Sequence, residues 1–325
     1  MRKKKMSIGV VMLLICLFIF SGTLFAEVNY PNKAITVVVP YGAGGGVDTL
    51  ARIYAGVAKD YFGQPWVVEN RPGAGAALGI NHVLKSDPDG YTAVMFGSSP
   101  LIGAYIEKNL PYTPEDLKNL SIVTIHKMDD LIIVTHPDKP WSTWEGLVKY
   151  AKEHPGELDI GCGLLFHLLT ENIFRQAGID INWVPYDSSS TALSDFLGGH
   201  VDLNAHVLTT VNELIKGGKA TGLLFDGPLD PKEFPTLQGI PTASELGYEG
   251  MLLGQPMAFP PETPDEIVEF ASKAMGKLLK DPRVIELIKK RGGKPYYLPS
   301  EEAQKKHEET MDFIEKKLKE MDFID

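Results

Sequence analysis

Short β-branched segments alternate with segments of helical periodicity along this chain, and this alternation constrains the fold more than any other feature. The run Ile35-Thr36-Val37-Val38-Val39 precedes a helical pattern from about Val47, and the run Trp66-Val67-Val68 follows it. This order predicts a parallel sheet covered by helices, because a helix supplies the long connection that parallel strands need. Further strands are expected at residues 92–96, 131–135, 158–161, 181–185 and 222–225.

Helical stretches of two kinds accompany these strands. The C-terminal stretch from Glu301 to Lys319 is a charged amphipathic pattern, which we interpret as a helix in a solvated outer layer. The first helix instead carries one apolar face, which we interpret as core: Val47, Leu50, Ala51, Tyr54, Val57 and Ala58.

No repeat, low-complexity tract or flexible linker divides the chain. If the chain forms two lobes, they should therefore be joined by several short crossings between sheets, with candidates near Leu131 and from Gly250 to Pro260. The expected division is a signal peptide at 1–26, a first lobe at 27–129, a second lobe at 130–250, and a return to the first lobe with the C-terminal helices at 251–325.

The first 26 residues have the pattern of a secretory signal: a basic start, an apolar run from Ile8 to Phe20, and small residues before Ala26. An uncleaved anchor is the alternative, since the apolar stretch is just long enough to cross a bilayer. A lipid anchor on Cys16 is disfavoured by the bulky Ile15 before it. The mature protein is therefore expected in the periplasm or an equivalent extracytoplasmic space.

Charge and cysteine content narrow the functional classes. Removal of the four basic residues of the signal leaves 28 basic against 42 acidic residues, a net charge of −14 that disfavours nucleic acid and anionic lipid. Only Cys162 then remains, which excludes an internal disulfide and a paired-cysteine zinc site. No metal, cofactor or nucleic acid is expected, and the protein is expected to be a monomeric globular binder.

The glycine-rich segment 40–48 joins the first strand to the first helix. Glycines let backbone N–H groups approach a bound group, and a helix N-terminus favours an anion. The segment is not a Walker phosphate loop, and Val47 stands where a dinucleotide fingerprint needs its third glycine. A small carboxylate fits better than a nucleotide, although a tight turn with Asp48 in the first helical turn explains the pattern equally well.

A second glycine-bearing turn runs from Gly161 to Glu171 and also lies between a predicted strand and a helix. Facing the first turn, it would complete a pincer of backbone donors. A nucleophilic pair of Cys162 and His167 is the enzymatic alternative, but a lone buried thiol is usually inert.

Hydroxyl-rich segments Gly97-Ser98-Ser99 and Asp187-Ser188-Ser189-Ser190-Thr191 fit either N-caps or ligand contacts. No hydrolase elbow or zinc helix is present in the sequence.

Taken together, these segments resemble the substrate-binding proteins of tripartite tricarboxylate transporters, the TctC/Bug family. The resemblance covers nearly the whole mature chain. The segments that carry it are Tyr30-Pro31-Asn32-Lys33, the Gly44-Gly45 turn with Asp48, Val68-Glu69-Asn70-Arg71-Pro72-Gly73, Pro88-Asp89-Gly90-Tyr91-Thr92, Val184-Pro185-Tyr186, Leu197-Gly198-Gly199, Ile240-Pro241-Thr242 and Gly247-Tyr248.

The resemblance implies the fold of a type II periplasmic binding protein, with two α/β lobes hinged around a central cleft. In similar proteins a ligand carboxylate is held between two turns by backbone N–H groups and water. With the hydroxyl-rich segments, this gives an expected ligand site of Tyr41, Gly42, Ala43, Gly44, Gly45, Asp48, Ser98, Ser99, Gly161, Gly163, Leu165, Phe166, His167, Ser189, His206 and Asp226.

Two departures from the family pattern bear on the ligand. The second turn is apolar at Cys162, Leu164, Leu165 and Phe166, where relatives carry more Ser, Gly and Thr, which favours a ligand with an apolar body. Asp226 lies where relatives show Val-Thr-Ser, and in the cleft it would oppose a second carboxylate and accept an amine. The expected function is capture of a carboxylic or amino acid and its delivery to a membrane permease. The alternatives are presentation to a sensor kinase and hydrolysis by Cys162.

Overall fold

Two five-stranded sheets, each covered by helices, organise the chain. The structure is a computed structural model that describes residues 30–128, 130–186, 189–227, 230, 232, 234–250, 254–290 and 293–325. The expected signal segment 1–26, Asp187 and Ser188 lie outside these residues. The strands are β1 (Ile35–Val39), β2 (Trp66–Asn70), β3 (Thr92–Met95), β4 (Ser121–Met128), β5 (Leu131–Thr135), β6 (Asp159–Cys162), β7 (Asn182–Pro185), β8 (Leu203–His206), β9 (Thr221–Asp226) and β10 (Gly254–Phe259).

Helices connect most of the strands. They are α1 (Gly46–Phe62), α2 (Ala77–Leu84), α3 (Ser99–Ile106), α4 (Pro114–Lys118), α5 (Trp144–Glu153), α6 (Leu164–Ala177), α7 (Ser189–Leu197), α8 (Leu208–Lys216), α9 (Asp265–Leu278), α10 (Pro282–Lys289) and α11 (Ser300–Glu320), with short 3-10 turns at Ala74–Ala76 and Pro235–Leu237.

The first sheet has the strand order β2-β1-β3-β10-β4. β1 pairs in parallel with both β2 and β3, with Thr36 opposite Val67 and Thr92. Val37, Val38 and Val39 are fully buried because helices cover both faces of this sheet. We call the part built on this sheet lobe 1; it comprises β1–β4, α1–α4, β10 and α9–α11.

The second sheet has the order β7-β6-β8-β5-β9, and β6 pairs in parallel with β7 and β8. We call this part, β5–β9 with α5–α8, lobe 2. The chain leaves the first sheet after β4, enters the second with β5, and returns with β10. The two candidate crossings in the sequence lie at these strands, while the exact lobe boundaries stay a prediction.

Both sheets are mixed, so the expectation of a parallel sheet covered by helices is wrong for two strands. β10 runs antiparallel to β3 and β4, and β5 runs antiparallel to β8 and β9. These are the two strands that enter a sheet from the other lobe, and each arrives without the helical crossover that enforces parallel pairing.

The C-terminal helix α11 is amphipathic, as its sequence predicts, but it is more than a solvated layer. It buries Ala303, Met311, Ile314 and Leu318 and packs against β4 and β10. Its end reaches lobe 2, where the Nη1 of Arg175 donates to the carbonyl oxygen of Glu320 over 3.2 Å. Across the described residues, no helix combines the length and the apolar character needed to cross a membrane.

Candidate functional site

A cleft of about 1360 Å³ separates the two lobes, and helix N-termini of both lobes open onto it. β1, β3, β6 and β8 end at its edge, and α1, α3, α6 and α8 begin there. Lobe 1 contributes residues 44–47 and 97–99 to the wall. Lobe 2 contributes residues 165, 166, 189, 190, 206, 207, 209 and 210. The carboxyl ends of parallel strands are the usual binding edge of an α/β sheet.

The glycine-rich turn of lobe 1 is held in shape by Asp48, which is almost fully buried. One carboxylate oxygen accepts the N–H of Gly44 over 2.8 Å, and the other accepts the Nδ2 of Asn70 over 2.8 Å. The Nε of Arg52 donates to both oxygens at 3.0 Å. Gly44 has φ = +85°, a conformation that favours glycine. Asp48 therefore fixes the backbone of the turn.

These hydrogen bonds also set the ionisation of Asp48. The hydrogen bond from Arg52 is the main reason that the pKa of Asp48 is lowered to about 2. The hydrogen bonds from Gly44 and Asn70 lower the pKa further, whereas burial of the carboxylate acts in the opposite direction. The carboxylate is ionised at neutral pH, and three donors already occupy it.

Three of the helices that open onto the cleft begin without a side-chain cap from the N-cap residue. The N-cap residues of α1, α3 and α6 are Gly45, Ser98 and Gly163, and none of these three makes a side-chain cap hydrogen bond. The first turns of α3, α6, α7 and α8 carry no acidic residue. By contrast, Thr113 and Thr143 cap α4 and α5, which begin away from the cleft and carry Glu115 or Glu145 in the first turn. The dipoles of α3 and α6 at the cleft therefore favour an anion, whereas the first turn of α1 already contains the ionised Asp48.

His206 of lobe 2 lies in the wall of the cleft. Its Nδ1 accepts the backbone N–H of Val207 over 2.9 Å, so the neutral ring carries its hydrogen on Nε2. Burial lowers the pKa of His206 to about 4. Its ring centroid lies 5.7 Å from that of Phe166, another wall residue. In the adjacent α8, the backbone N–H of Leu208 donates a hydrogen bond to a carboxylate oxygen of Asp130 at 2.7 Å.

Nine of the sixteen expected site residues line the cleft: Tyr41, Gly44, Gly45, Ser98, Ser99, Leu165, Phe166, Ser189 and His206. The backbone N–H of Gly97 donates a hydrogen bond to the hydroxyl oxygen of Tyr41 at 3.1 Å, and this bond links the two turns of lobe 1. The structure thus brings the two predicted turns and both hydroxyl-rich segments to one cavity. Direct contact of each residue with a ligand stays a prediction.

The other seven are not among the described cleft-lining residues: Gly42, Ala43, Asp48, Gly161, Gly163, His167 and Asp226. A Cβ on Gly161 would lie 3.0 Å from side-chain atoms of both Tyr186 and Val201, so close packing favours glycine at this position. His167 stacks on Trp183 with centroids 4.1 Å apart and meets Phe323 from the C-terminal end at 5.9 Å. Asp226 is buried against the backbone of Gly250.

Further wall residues escaped the sequence analysis, namely His126, Lys127, Gln255, Lys294 and Tyr296, and Tyr54 was interpreted as core alone. Tyr54 is fully buried and belongs to the wall as well. Tyr54 lies one helical turn after Leu50, on the helix face that begins at Val47, and this spacing could have predicted that Tyr54 also reaches the cleft.

Cys162 has the environment of an inert thiol. It is 1% exposed, and burial raises its pKa to about 12. Within the described part of the chain, no group of three or more His, Cys, Asp or Glu side chains is placed to hold a metal ion.

Comparisons with known proteins agree with this geometry. Residues 50–323 match the model of the tripartite tricarboxylate transporter family receptor, TctC. BugT of Bordetella pertussis is 32% identical over 289 residues, which cover 86% of this chain and 87% of BugT.

Two solved structures share the fold over most of their length. The R. palustris protein Rpa4515, solved with adipate, is 26% identical with a TM-score of 0.73, over 90% of this chain and 98% of that one. The periplasmic binding protein BugD is 26% identical with a TM-score of 0.70, over 91% and 99%. The expected fold of a two-lobed periplasmic binding protein is confirmed, and the chain belongs to the TctC family of tripartite tricarboxylate transporter receptors.

Proposed function

We propose that this solute-binding receptor captures a carboxylate ligand with an apolar body in the interlobe cleft and delivers it to a tripartite tricarboxylate-type membrane transporter. The observation that carries the proposal is the convergence of helix N-termini from both lobes on one cavity, without side-chain caps on α1, α3 and α6. A carboxylate held there takes its hydrogen bonds from backbone N–H groups and is stabilised by the helix dipoles.

The wall residues favour an apolar ligand body. Val47 and Leu50 of α1 face the cleft with Leu165 and Phe166 of α6, so an aliphatic chain has apolar surface in both lobes. Adipate, the molecule in Rpa4515, is a carboxylate of this kind. The argument for an amine partner of Asp226 depended on its lining the cleft, and Asp226 is absent from the described wall.

The size of the cleft supports closure on the ligand. Small-molecule sites usually enclose about 300–1,000 Å³, and this cleft is larger. Movement of lobe 2 toward lobe 1 would bring both sets of helix N-termini onto one carboxylate. The closed form is the species we expect to dock on the transporter rather than on a sensor kinase.

The proposal also includes that the protein is exported from the cytoplasm and that it is not an enzyme. The sequence pattern of residues 1–26 supports an extracytoplasmic location. The raised pKa of the buried Cys162 thiol argues against the hydrolase alternative. Cys162→Ala is expected to keep the affinity of the receptor within a few-fold.

Calorimetric titration of the mature protein, freed of co-purified ligand by unfolding and refolding, tests the ligand class. Adipate and other aliphatic carboxylates should bind, whereas diamides of the same carbon skeleton should not. A matching thermal shift is expected, since a ligand at a hundredfold excess over Kd stabilises the folded state by about 2.7 kcal/mol. Equal binding of acids and diamides would contradict the carboxylate site. Loss of carboxylate uptake in cells that lack only this receptor tests the delivery step.

A further inference from the structure

His126, on strand β4, is a buried polar residue in the lobe 1 wall of the cleft. Its side chain is 1% exposed, and its Nε2 has no hydrogen-bond partner among the described residues. A buried polar atom without a partner is costly, so its presence in a binding cleft calls for an explanation. No expected site residue lies on this strand.

The neighbour of His126 fixes where the ring carries its hydrogen. Nδ1 lies 3.4 Å from the hydroxyl of Tyr54, its single hydrogen-bond contact in the described residues. Burial raises the pKa of Tyr54, so the hydroxyl keeps its hydrogen, and Nδ1 of His126 is the acceptor beside it. The opposite tautomer would leave the buried hydroxyl hydrogen of Tyr54 without an acceptor. The arrangement with fewer unsatisfied groups places the hydrogen of His126 on Nε2.

We infer that the Nε2–H of His126 forms a second polar subsite, which binds an oxygen acceptor at the far end of an extended carboxylate ligand. The inference rests on the proposed function, in which the helix N-termini hold the first carboxylate. His126 and the glycine-rich turn line the same cavity, so one extended ligand has both within a single binding space.

Selectivity follows from desolvation at this subsite. An oxygen of the ligand that accepts from Nε2 satisfies the buried N–H. A ligand of the same length with a methyl end leaves the N–H unsatisfied and gains no hydrogen bond. The preferred ligands are therefore aliphatic acids with a second carboxylate or another oxygen acceptor at the distal end, in preference to fatty acids of equal length.

The test measures affinity for pairs of linear α,ω-dicarboxylates and monocarboxylates of matched chain length, beginning with adipate and hexanoate. The wild-type receptor should prefer the dicarboxylate by about 10- to 100-fold, the ratio typical of a buried hydrogen bond to a charged group. His126→Leu should remove most of this preference and leave the affinity for hexanoate within a few-fold. His126→Gln, which restores an N–H donor, should recover part of it.

His307 provides the matched control. It is 2% exposed and lies in α11, outside the described wall, and its Nε2 is already hydrogen-bonded to the carbonyl oxygen of Leu117 at 2.9 Å. His307→Leu should lower stability and keep the ligand preference of the wild type.

The outcomes separate this inference from the proposed function. If His126→Leu keeps the full preference for dicarboxylates, the subsite is refuted while the carboxylate receptor stands. If the wild-type protein binds neither member of any pair, the proposed function fails. Independently of any ligand, the subsite requires the hydrogen of His126 on Nε2, and nitrogen-15 NMR of the histidine ring in wild type and Tyr54→Phe measures where that hydrogen lies. A hydrogen on Nδ1 of His126 in the wild type would overturn it.

Discussion

At the scale of single residues, Asp48 joins the binding turn to the body of lobe 1. Asp48→Asn should lower the free energy of unfolding at pH 7 by about 2 kcal/mol, because the hydrogen-bonded carboxylate has a pKa near 2. Ligand affinity should fall as well, since the N–H of Gly44 loses its acceptor. Urea unfolding and calorimetric titration measure the two effects.

The pH dependence has a definite sign. A depressed carboxyl pKa contributes stability above about pH 4 and loses it as pH falls toward 2, so the difference between wild type and Asp48→Asn should shrink in that window. Asp60→Asn, which removes an exposed partner of Arg283 at the other end of α1, is the control and should cost less than about 1 kcal/mol. Unchanged stability with lost affinity would instead make Asp48 a direct ligand contact.

Two histidines of the cleft should make stability, but not affinity, depend on pH between 7 and 5. Burial lowers the pKa of His126 to about 3 and of His206 to about 4, so both stay neutral when folded and gain a proton when unfolded. Each should remove roughly 2 kcal/mol of stability at pH 5. His206→Phe should flatten the urea-unfolding profile. A ligand affinity that rises steeply toward pH 5 would show a charged imidazole in the site.

The positions of side chains in the site were only partly predictable from the sequence. The glycines and serines of the wall that the sequence predicted lie in turns or at the first residue of a helix, where a motif is enough to place the backbone near a strand end. His167 and Asp226 lie in similar motifs, but a neighbouring ring or backbone segment decides where such a side chain lies. His167 lies in α6, and its neighbour is Trp183, which belongs to strand β7. A single sequence does not contain this information.

At the scale of elements, the start of α1 sets how closely a ligand approaches the lobe 1 turn. Gly45 has φ = −68° and ψ = 170°, which any residue can adopt. Among the described residues, and apart from its chain neighbours, an ideal Cβ on Gly45 would have one atom within 4 Å, the carbonyl oxygen of Gly42 at 3.4 Å. Gly45→Leu should therefore fold, yet reduce affinity at least about tenfold by occupying the cleft and blocking closure.

Gly56, in the middle of the same helix, is the matched control for this substitution. An ideal Cβ on Gly56 has no atom within 4 Å among the described residues, apart from its chain neighbours and the backbone of its own helix. Gly56→Leu should stabilise the protein by up to about 1 kcal/mol through helix propensity and leave affinity unchanged. Normal binding by Gly45→Leu in the same titrations would remove the turn from the site.

Most strands were predictable because their short apolar runs are bounded by Gly, Pro, Asp or Ser, and seven expected strands agree with the structure within two residues at each end. β4, β8 and β10 were not predicted as strands, and β10 was expected only as a crossing between lobes. β4 contains Thr124, His126 and Lys127, and β8 contains Asn204 and His206, so polar side chains interrupt the apolar pattern in both. These interruptions include the two cleft histidines. The strands that are hardest to predict are therefore those that furnish the site.

At the scale of the whole molecule, one apolar cluster runs through both lobes. It contains Val94 and Phe96 of lobe 1, Ile133 and Leu203 of lobe 2, and Leu318 of α11. A second cluster lies in lobe 1 alone and a third in lobe 2 alone. Because the shared cluster joins the two sheets, opening of one lobe exposes apolar surface of the other.

The receptor should therefore unfold in a single cooperative transition, although chains of this length often unfold in steps. Leu278→Ala in the lobe 1 cluster and Val211→Ala in the lobe 2 cluster each remove a fully buried side chain and should cost about 2–5 and 1–3 kcal/mol. Each should lower the Tm of the entire calorimetric transition and keep the ratio of calorimetric to van't Hoff enthalpy near one. If either variant splits the transition, or moves only part of it, the lobes unfold independently and the shared cluster does not couple them.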